Sequence, residues 1–501
     1  MDSIKKYVVA VDIGSSEVTI AVGTMVEGGV INIETVVREP IAAGVTAGLI
    51  DNSQTVAEAL RKARERAEDE VGVAITDAYV SISGKFVRCA RYTDHVFVED
   101  AENCIGPKDL AALRERMRNV KAADGEIIMD FFPLCYKSDT GSEMKNPVGS
   151  YSKQLAATYN FILCEHMAKD RLRRVFLDAG IKMRELFAGA AVVAESVVTT
   201  EEKEEGVAIV DIGSGVTDVA IYYGGVLCYM ASIPMGGSAL NTDIRVYDGY
   251  IPPRFIEKLK CKLGSALVSN TPDENIEMRN RGRNIKVVSR KNLAAVIEAR
   301  MTDIAEYVLN EIKDAGYAKK LGAGIVITGG TAELMNIAEL FKRVTNHEVR
   351  TACAEVGINT ESMLKVASPN LTLAVSLLLH GAKVGPCPVG VYTPPVKVES
   401  APAAKPEVKA EPVQPAQPAQ PIQQPAPEPK PAPAPEPKPE PVVESKPAQP
   451  ADKWDDPDEV DDIDDEEDDI KEKKSRLGGI FKKFLDAFKD PNEDIDEDER
   501  W

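Results

Sequence analysis

One short phrase occurs twice in this chain of 501 residues, and the repetition restricts the fold more than any other feature. Val8–Val22 reads VVAVDIGSSEVTIAV, and Val207–Ile221 reads VAIVDIGSGVTDVAI. In each, mostly β-branched residues run into an aspartate, a Gly/Ser turn follows, and a second apolar run resumes. That is a strand–turn–strand hairpin with a carboxylate at the end of its first strand. Asp12, Gly14, Ser15 and Thr19 are matched with Asp211, Gly213, Ser214 and Thr217, and two copies that start 199 residues apart point to a duplicated domain whose two hairpins close on one ligand. A glycine-rich turn lets backbone N–H groups approach phosphate oxygens, and a carboxylate beside it can hold magnesium through water. A single DIGS string would fit an ordinary strand end equally well. The matched pair favours phosphate.

Around the two copies, helix and strand patterns alternate. Val30–Val37 reads as a strand, and a linker with Gly44 and Gly48 leads to a helix over Ser53–Glu70, with Val56, Leu60, Ala63 and Ala67 at helical spacing. Tyr79–Ile82 reads as a strand. Residues 85–164 read as a small strand–helix–strand insertion, with strand-like Val96–Val98, helical Lys108–Asn119, strand-like Glu126–Phe132 and a strand over Tyr159–Cys164. Helices are predicted over Lys169–Ala179 and Leu186–Val198, and beyond the second copy over Ser238–Tyr247, Pro253–Leu267 and Leu293–Asp314. Pro272–Ser289 is polar, with Arg279, Arg281, Arg283 and Arg290 at or near its end. Gly324–Leu334, GIVITGGTAEL, reads as a buried strand, a Gly-Gly turn and a helix start, and Asn370–His380 as a Leu-rich helix. This rhythm, twice over, predicts an α/β fold of two related halves. Residues 1–84 with 165–205 form the first half and 206–240 with 318–385 the second, with 241–317 a smaller subdomain beside it.

The composition breaks at 386. Residues 386–454 are dominated by Pro, Ala, Glu, Gln, Lys and Val, too poor in large apolar side chains to bury a core, so a disordered linker is expected. Residues 455–469 are an acidic linker with 12 carboxylates in 15 positions, and 490–501 form an acidic tail. Between them, 470–489 carry 7 basic and 2 acidic residues. There Leu477, Ile480, Phe481, Phe484, Leu485 and Phe488 fall on one helical stripe, with Lys482 and Lys483 among the flanking bases. An apolar stripe with basic flanks describes a helix lying in anionic lipid headgroups. A helix docked on the protein's own body, or in a partner's groove, shares the pattern.

Of the net charge of −20, residues 455–501 supply −13, which leaves about −7 for the rest and argues against nucleic acid as a partner. The eight cysteines form no CxxC pair and fit reduced thiols in a cytosol. The opening residues do not read as a signal peptide, and no apolar run approaches the roughly 20 residues of a membrane span. A cytoplasmic chain is the expectation.

Two common nucleotide motifs fail. Ser83-Gly84-Lys85-Phe86 lacks the upstream glycine and the Ser/Thr of a Walker loop, and Asp218 stands where a Rossmann fingerprint needs its third glycine. Two hairpins followed by Gly329-Gly330 instead resemble the actin-like ATPase superfamily. Gly44–Asp51 looks like that superfamily's linker, and Ile127–Leu155 resembles the insertion peculiar to the FtsA family of bacterial cell-division proteins. Asn241–Gly264 is similar to that family's pattern, in which Thr242 and Asp243 precede Glu257 and Lys260. With the terminal helix, the resemblance covers about residues 7–385 and 470–489.

The resemblance implies an actin-like two-half ATPase fold with duplicated phosphate hairpins, a small insertion subdomain over 85–164 and a nucleotide-side subdomain over 241–317. It implies ATP with magnesium: Gly14, Ser15, Ser16, Gly213, Ser214, Gly215 and Thr217 at the phosphates, Asp12 and Asp211 on magnesium through water, and Glu257, Lys260, Gly329 and Gly330 at the adenosine. It further implies actin-like protofilaments, other division proteins docking on the insertion, and tethering of the tubulin-like protein FtsZ to the cytoplasmic face of the inner membrane at the septum. The tail of FtsZ would dock near the arginine-bearing region after Pro272, which also fits a solvated charged loop. The family's Glu-Pro appears here as Glu185-Leu186, so a catalytic, water-orienting Glu185 departs from the pattern and weak or absent hydrolysis is expected. A sugar-kinase-like phosphotransferase and an actin-like adaptor for pilus assembly would share the hairpins, but neither needs the terminal helix.

Overall fold

In the computed structural model, which describes residues 5–26, 30–247, 251, 253–279 and 285–392, both copies of the repeat are hairpins at equivalent places in two five-stranded sheets. The first sheet runs, edge to edge, Lys182–Ala188, Asp77–Ile82, Tyr7–Ile13, Glu17–Met25 and Ile31–Pro40. The second, in reverse sense, runs Val226–Ile233, Thr217–Tyr223, Val207–Ile212, Ile325–Thr328 and Val349–Thr351. Each consists of an antiparallel three-strand meander extended by two parallel strands. The duplication read in the sequence is therefore a duplication of topology, and the central strand of each sheet carries Asp12 or Asp211 one residue before its end.

Helices cover the sheets as their apolar stripes require. Ser53–Val71 starts where the Asn52 side chain accepts from the amides of Gln54 and Thr55, and ends at Gly72 in the left-handed region (φ +75°). It buries Val56, Leu60, Ala63 and Ala67, the four residues picked out by spacing. Arg290–Asp314 buries Leu293, Ile297, Met301, Ile304 and Val308.

Several expectations need correction. Leu186–Val198 is not one helix: Lys182–Ala188 is a strand paired with Asp77–Ile82, and single turns Gly189–Val192 and Ala194–Val197 follow. The open edge of the first sheet outweighed local helix propensity. The insertion holds four antiparallel strands, in the order Glu143–Met144, Glu126–Lys137, Gln154–Glu165, Val87–Phe97, together with the helix Pro107–Arg118. Its strand Val87–Phe97 was hidden because an edge strand with much of its length exposed reads as polar. Pro272–Ser289 contains a two-stranded hairpin, Asn275–Arg279 with Ile285–Ser289. The turn after Thr328 opens a 3-10 segment, Gly330–Glu333.

Thr372–Val384, assigned with the second half, packs on the first sheet. Leu378 lies against Gly23, and the Tyr79 ring against Gly381, where a Cβ would overlap it. The Tyr79 hydroxyl donates to Gly385 O at 2.8 Å. The linker's first residues are also ordered: Val389–Val391 pairs antiparallel with Val73–Ile75, beside buried Cys387. Residues 393–501, with the membrane stripe, the acid block and the tail, lie outside the described residues, as do Arg281 and Arg283. Among the described residues no helix is long and apolar enough to cross a membrane.

Candidate functional site

The two hairpin turns face each other across a cavity of about 500 Å³. Each turn is closed in the same way, by Gly14 N–H donating to Glu17 O at 3.0 Å and by Gly213 N–H donating to Val216 O at 2.9 Å. A Cβ on Gly215 would overlap Ser15 Oγ of the opposite hairpin. Bare backbone is therefore what lets the turns approach. Gly213 O gathers the second wall: it accepts from Gly237 N–H at 2.9 Å and from Thr331 Oγ1 at 3.0 Å. Gly329, at φ +87°, presses against Asp211, and a Cβ there would overlap Asp211 Oδ1.

Twelve of the fourteen residues read as nucleotide-site positions line this cavity: Asp12, Gly14, Ser15, Ser16, Asp211, Gly213, Ser214, Gly215, Glu257, Lys260, Gly329 and Gly330. Two do not. Thr217 is fully buried, and its hydroxyl donates to Met235 O at 2.8 Å, tying its strand to the loop that follows Val226–Ile233. Glu185 is exposed on the strand Lys182–Ala188, opposite Tyr79, and is not part of the lining. It lies one residue before the predicted helix Leu186–Val198, in what is an edge strand, and that places it away from the cavity.

Register corrects the internal match as well. Thr19 sits opposite Asp12 and Asp218 opposite Asp211, so the counterpart of Thr19 is Asp218, not Thr217. Asp218 lines the cavity and was missed, although a strict residue-by-residue overlay of the two copies would have found it. Ser83, Asn241, Arg38 and Glu333 also line it. They carry no local motif and are collected from separate elements.

Three carboxylates crowd the floor. Burial pushes Asp12 up to about 6 against a 2.7 Å hydrogen bond from Ser81, with Glu17 and Asp218 adding repulsion. Burial, then Asp218 and Asp12, push Asp211 up to about 8. Burial raises Asp218 too, against a hydrogen bond from Ser232. Such a cluster binds protons unless a cation compensates it. No group of three His, Cys, Asp or Glu side chains among the described residues is arranged to ligate a metal directly. The donor set thus suits a hydrated divalent ion held through water and shared with a polyanion, and it suits no closed protein cage.

On the other wall, Lys260 Nζ donates to Glu257 at 3.0 Å and to Gly237 O at 3.2 Å, while Asn241 donates to Glu257 at 2.7 Å. Asp243, flagged by its pattern, is held by Arg300 at 2.7 and 3.1 Å and does not line the cavity, so it braces the helix Gly237–Tyr247.

The family model described as Cell division protein FtsA matches residues 208–376. Over 388 residues the chain is 31% identical to the cell division protein FtsA of Escherichia coli, covering 75% of this chain and 90% of that one. The chain belongs to the FtsA family. A further FtsA, from Buchnera aphidicola subsp. Baizongia pistaciae, is 30% identical over 391 residues, 76% of this chain and 92% of its own. A solved PilM-PilN type IV pilus biogenesis complex shares the fold at 13% identity, with a TM-score of 0.50, covering 75% of this chain and 98% of that one. This chain accordingly has the actin-like two-half α/β fold, with the insertion set between the strands Asp77–Ile82 and Lys182–Ala188 of the first sheet.

Proposed function

We propose that this FtsA-family protein binds ATP with magnesium in the cleft between its halves, polymerises into actin-like protofilaments, and anchors FtsZ filaments to the cytoplasmic face of the inner membrane at the septum. The observation that carries the nucleotide reading is the pair of glycine turns, each beside a half-buried aspartate, facing one cavity. Backbone amides of Gly14–Ser16 and Gly213–Gly215 would meet the phosphates, and Glu257, Lys260, Gly329 and Gly330 the adenosine. Asp12 and Asp211 would hold magnesium through water, and the ion would neutralise phosphate charge beside these carboxylates. Slow or absent hydrolysis belongs to this reading, because Glu185 stands outside the cavity.

Anchoring rests on family membership and on the apolar stripe Leu477–Phe488 with its lysines. The FtsZ tail would meet the region of the Asn275–Ser289 hairpin, and other division proteins the insertion at 85–164. One such helix buries little apolar surface and should bind reversibly, whereas several joined in a polymer should bind firmly.

Co-sedimentation with anionic vesicles tests this reading, comparing the full chain with one ended at Asp469, each with ATP and with or without polymerised FtsZ. The full chain should pellet and carry FtsZ with it, and the shortened chain should stay in solution. Equal pelleting of both chains, or a pelleted full chain that leaves FtsZ behind, would sink the anchor reading.

A further inference from the structure

Six carboxylates line the cleft, namely Asp12, Glu17, Asp211, Asp218, Glu257 and Glu333, and among the described residues only two cationic side chains join them, Arg38 and Lys260. Lys260 is committed to the wall of Glu257 and Gly237 O. Arg38 comes from a different place. Strand register aligns Asp12 with Thr19 and Thr19 with Arg38, so the three share one row and one face of the first sheet, at its cleft end. Glu17, two residues before Thr19 on the same strand, shares that face. Arg38 Nε and Nη2 both reach Glu17 Oε1, at 2.8 and 2.7 Å, directly beside the Gly14–Ser16 turn. The guanidinium is thus parked on a carboxylate at the mouth of the phosphate end, with its side chain 43% exposed and free to turn on a flexible stem.

We propose that Arg38 is a further phosphate-binding residue of this cleft, exchanging Glu17 for the terminal phosphate of a bound nucleoside triphosphate. The inference rests on the nucleotide reading above and adds to it the group that tells triphosphate from diphosphate. The adenosine wall belongs to the second half, and Arg38 to the edge strand of the first sheet. The phosphate farthest from the base is therefore the one it meets. A planar guanidinium presents paired donors that match phosphate oxygens, and a phosphate carries more charge than the carboxylate it replaces. Glu17 has a double part: it holds Arg38 in place when the cleft is empty, and its own charge opposes a phosphate that fails to recruit Arg38.

Calorimetric titration of the full chain with MgATP and with MgADP tests this. Arg38→Ala should weaken MgATP roughly tenfold or more and MgADP less than about twofold, as expected for loss of one charge-assisted contact. Arg38→Lys, which keeps the charge but not the fork, should fall between. Glu17→Gln should hold or tighten MgATP. Arg38→Ala binding MgATP like the parent chain would overturn the proposal. Equal losses for the two nucleotides, or a Glu17→Gln loss as large as that of Arg38→Ala, would do so as well, since the pair would then be a structural brace. If the parent chain binds neither nucleotide, the cleft reading itself falls, an outcome distinct from a failure at Arg38 alone. Circular dichroism melts accompany each variant, and Arg38→Gln replaces Arg38→Ala if the latter melts early.

Discussion

At the scale of single residues, the cleft depends on positions where a side chain is missing. Gly72 adopts left-handed backbone (φ +75°, ψ 21°), whereas Gly329 (φ +87°, ψ 166°) occupies a region open almost only to glycine. A Cβ on Gly72 meets nothing within 4 Å, whereas one on Gly329 overlaps Asp211 Oδ1 and Ile212 O. Gly72→Ala should therefore cost only the backbone term, about 1–2 kcal/mol. Gly329→Ala should cost visibly more, because its backbone lies where L residues scarcely go and Asp211 or its strand must move as well, and it should weaken MgATP too. Thermal melts of the two variants check this, and equal losses would show that the contact with Asp211 matters little. The same contrast explains what could be read in advance. Gly213-Ser214-Gly215 and Gly329-Gly330 announce themselves as short strings and Asp218 follows from a strict overlay of the two copies, but Arg38 enters the site only through strand pairing.

At the scale of elements, the helix Thr372–Val384 ties the end of the body to its first sheet, and its attachment has a titratable component. Glu195, in the turn Ala194–Val197, receives His380 Nδ1 at 3.3 Å and Lys383 Nζ at 2.5 Å. The His380 hydrogen bond chiefly, then Lys383, hold its carboxyl down at about 2, below the ordinary 4.5, against the opposing effect of burial. A depressed folded-state value stabilises above the unfolded value, and that stabilisation is lost as pH falls from about 4.5 through about 2. It is on the order of 3 kcal/mol. Glu195→Gln should therefore lower the melting temperature near neutral pH, and the gap from the parent chain should narrow as pH falls from 5 towards 2. A gap that stays constant across that range would rule the linkage out. Elements themselves were legible to different degrees. Ser53–Val71 has its apolar spacing and cap written in sequence, but Leu186–Ala188, the end of an edge strand with mixed exposure, carries no regular alternation and read as the start of a helix.

At the scale of the whole molecule, charge is distributed as sharply as structure. The terminal stretch 470–489 has a net charge of +5 and lies between blocks of −12 and −6. If that stretch lies on anionic lipid, as proposed, these acid flanks would compete with the lipid for the same lysines. Neutralising Asp455–Asp469 should tighten vesicle binding at low salt and change little at high salt, where exposed charges are screened. Unchanged binding at low salt would end that idea. The chain by itself determined the two-half α/β plan and the paired glycine turns, because each is written in local periodicity or in a repeat that needs no partner to be recognised. Only the tertiary structure decided that Thr217 faces away from the cleft, that Asp218 and Arg38 face into it, that Glu185 stands outside it, and that the last helix returns to the first sheet. Those outcomes depend on strand register and on which sheet offers an open edge or face, and both are settled between segments far apart in sequence.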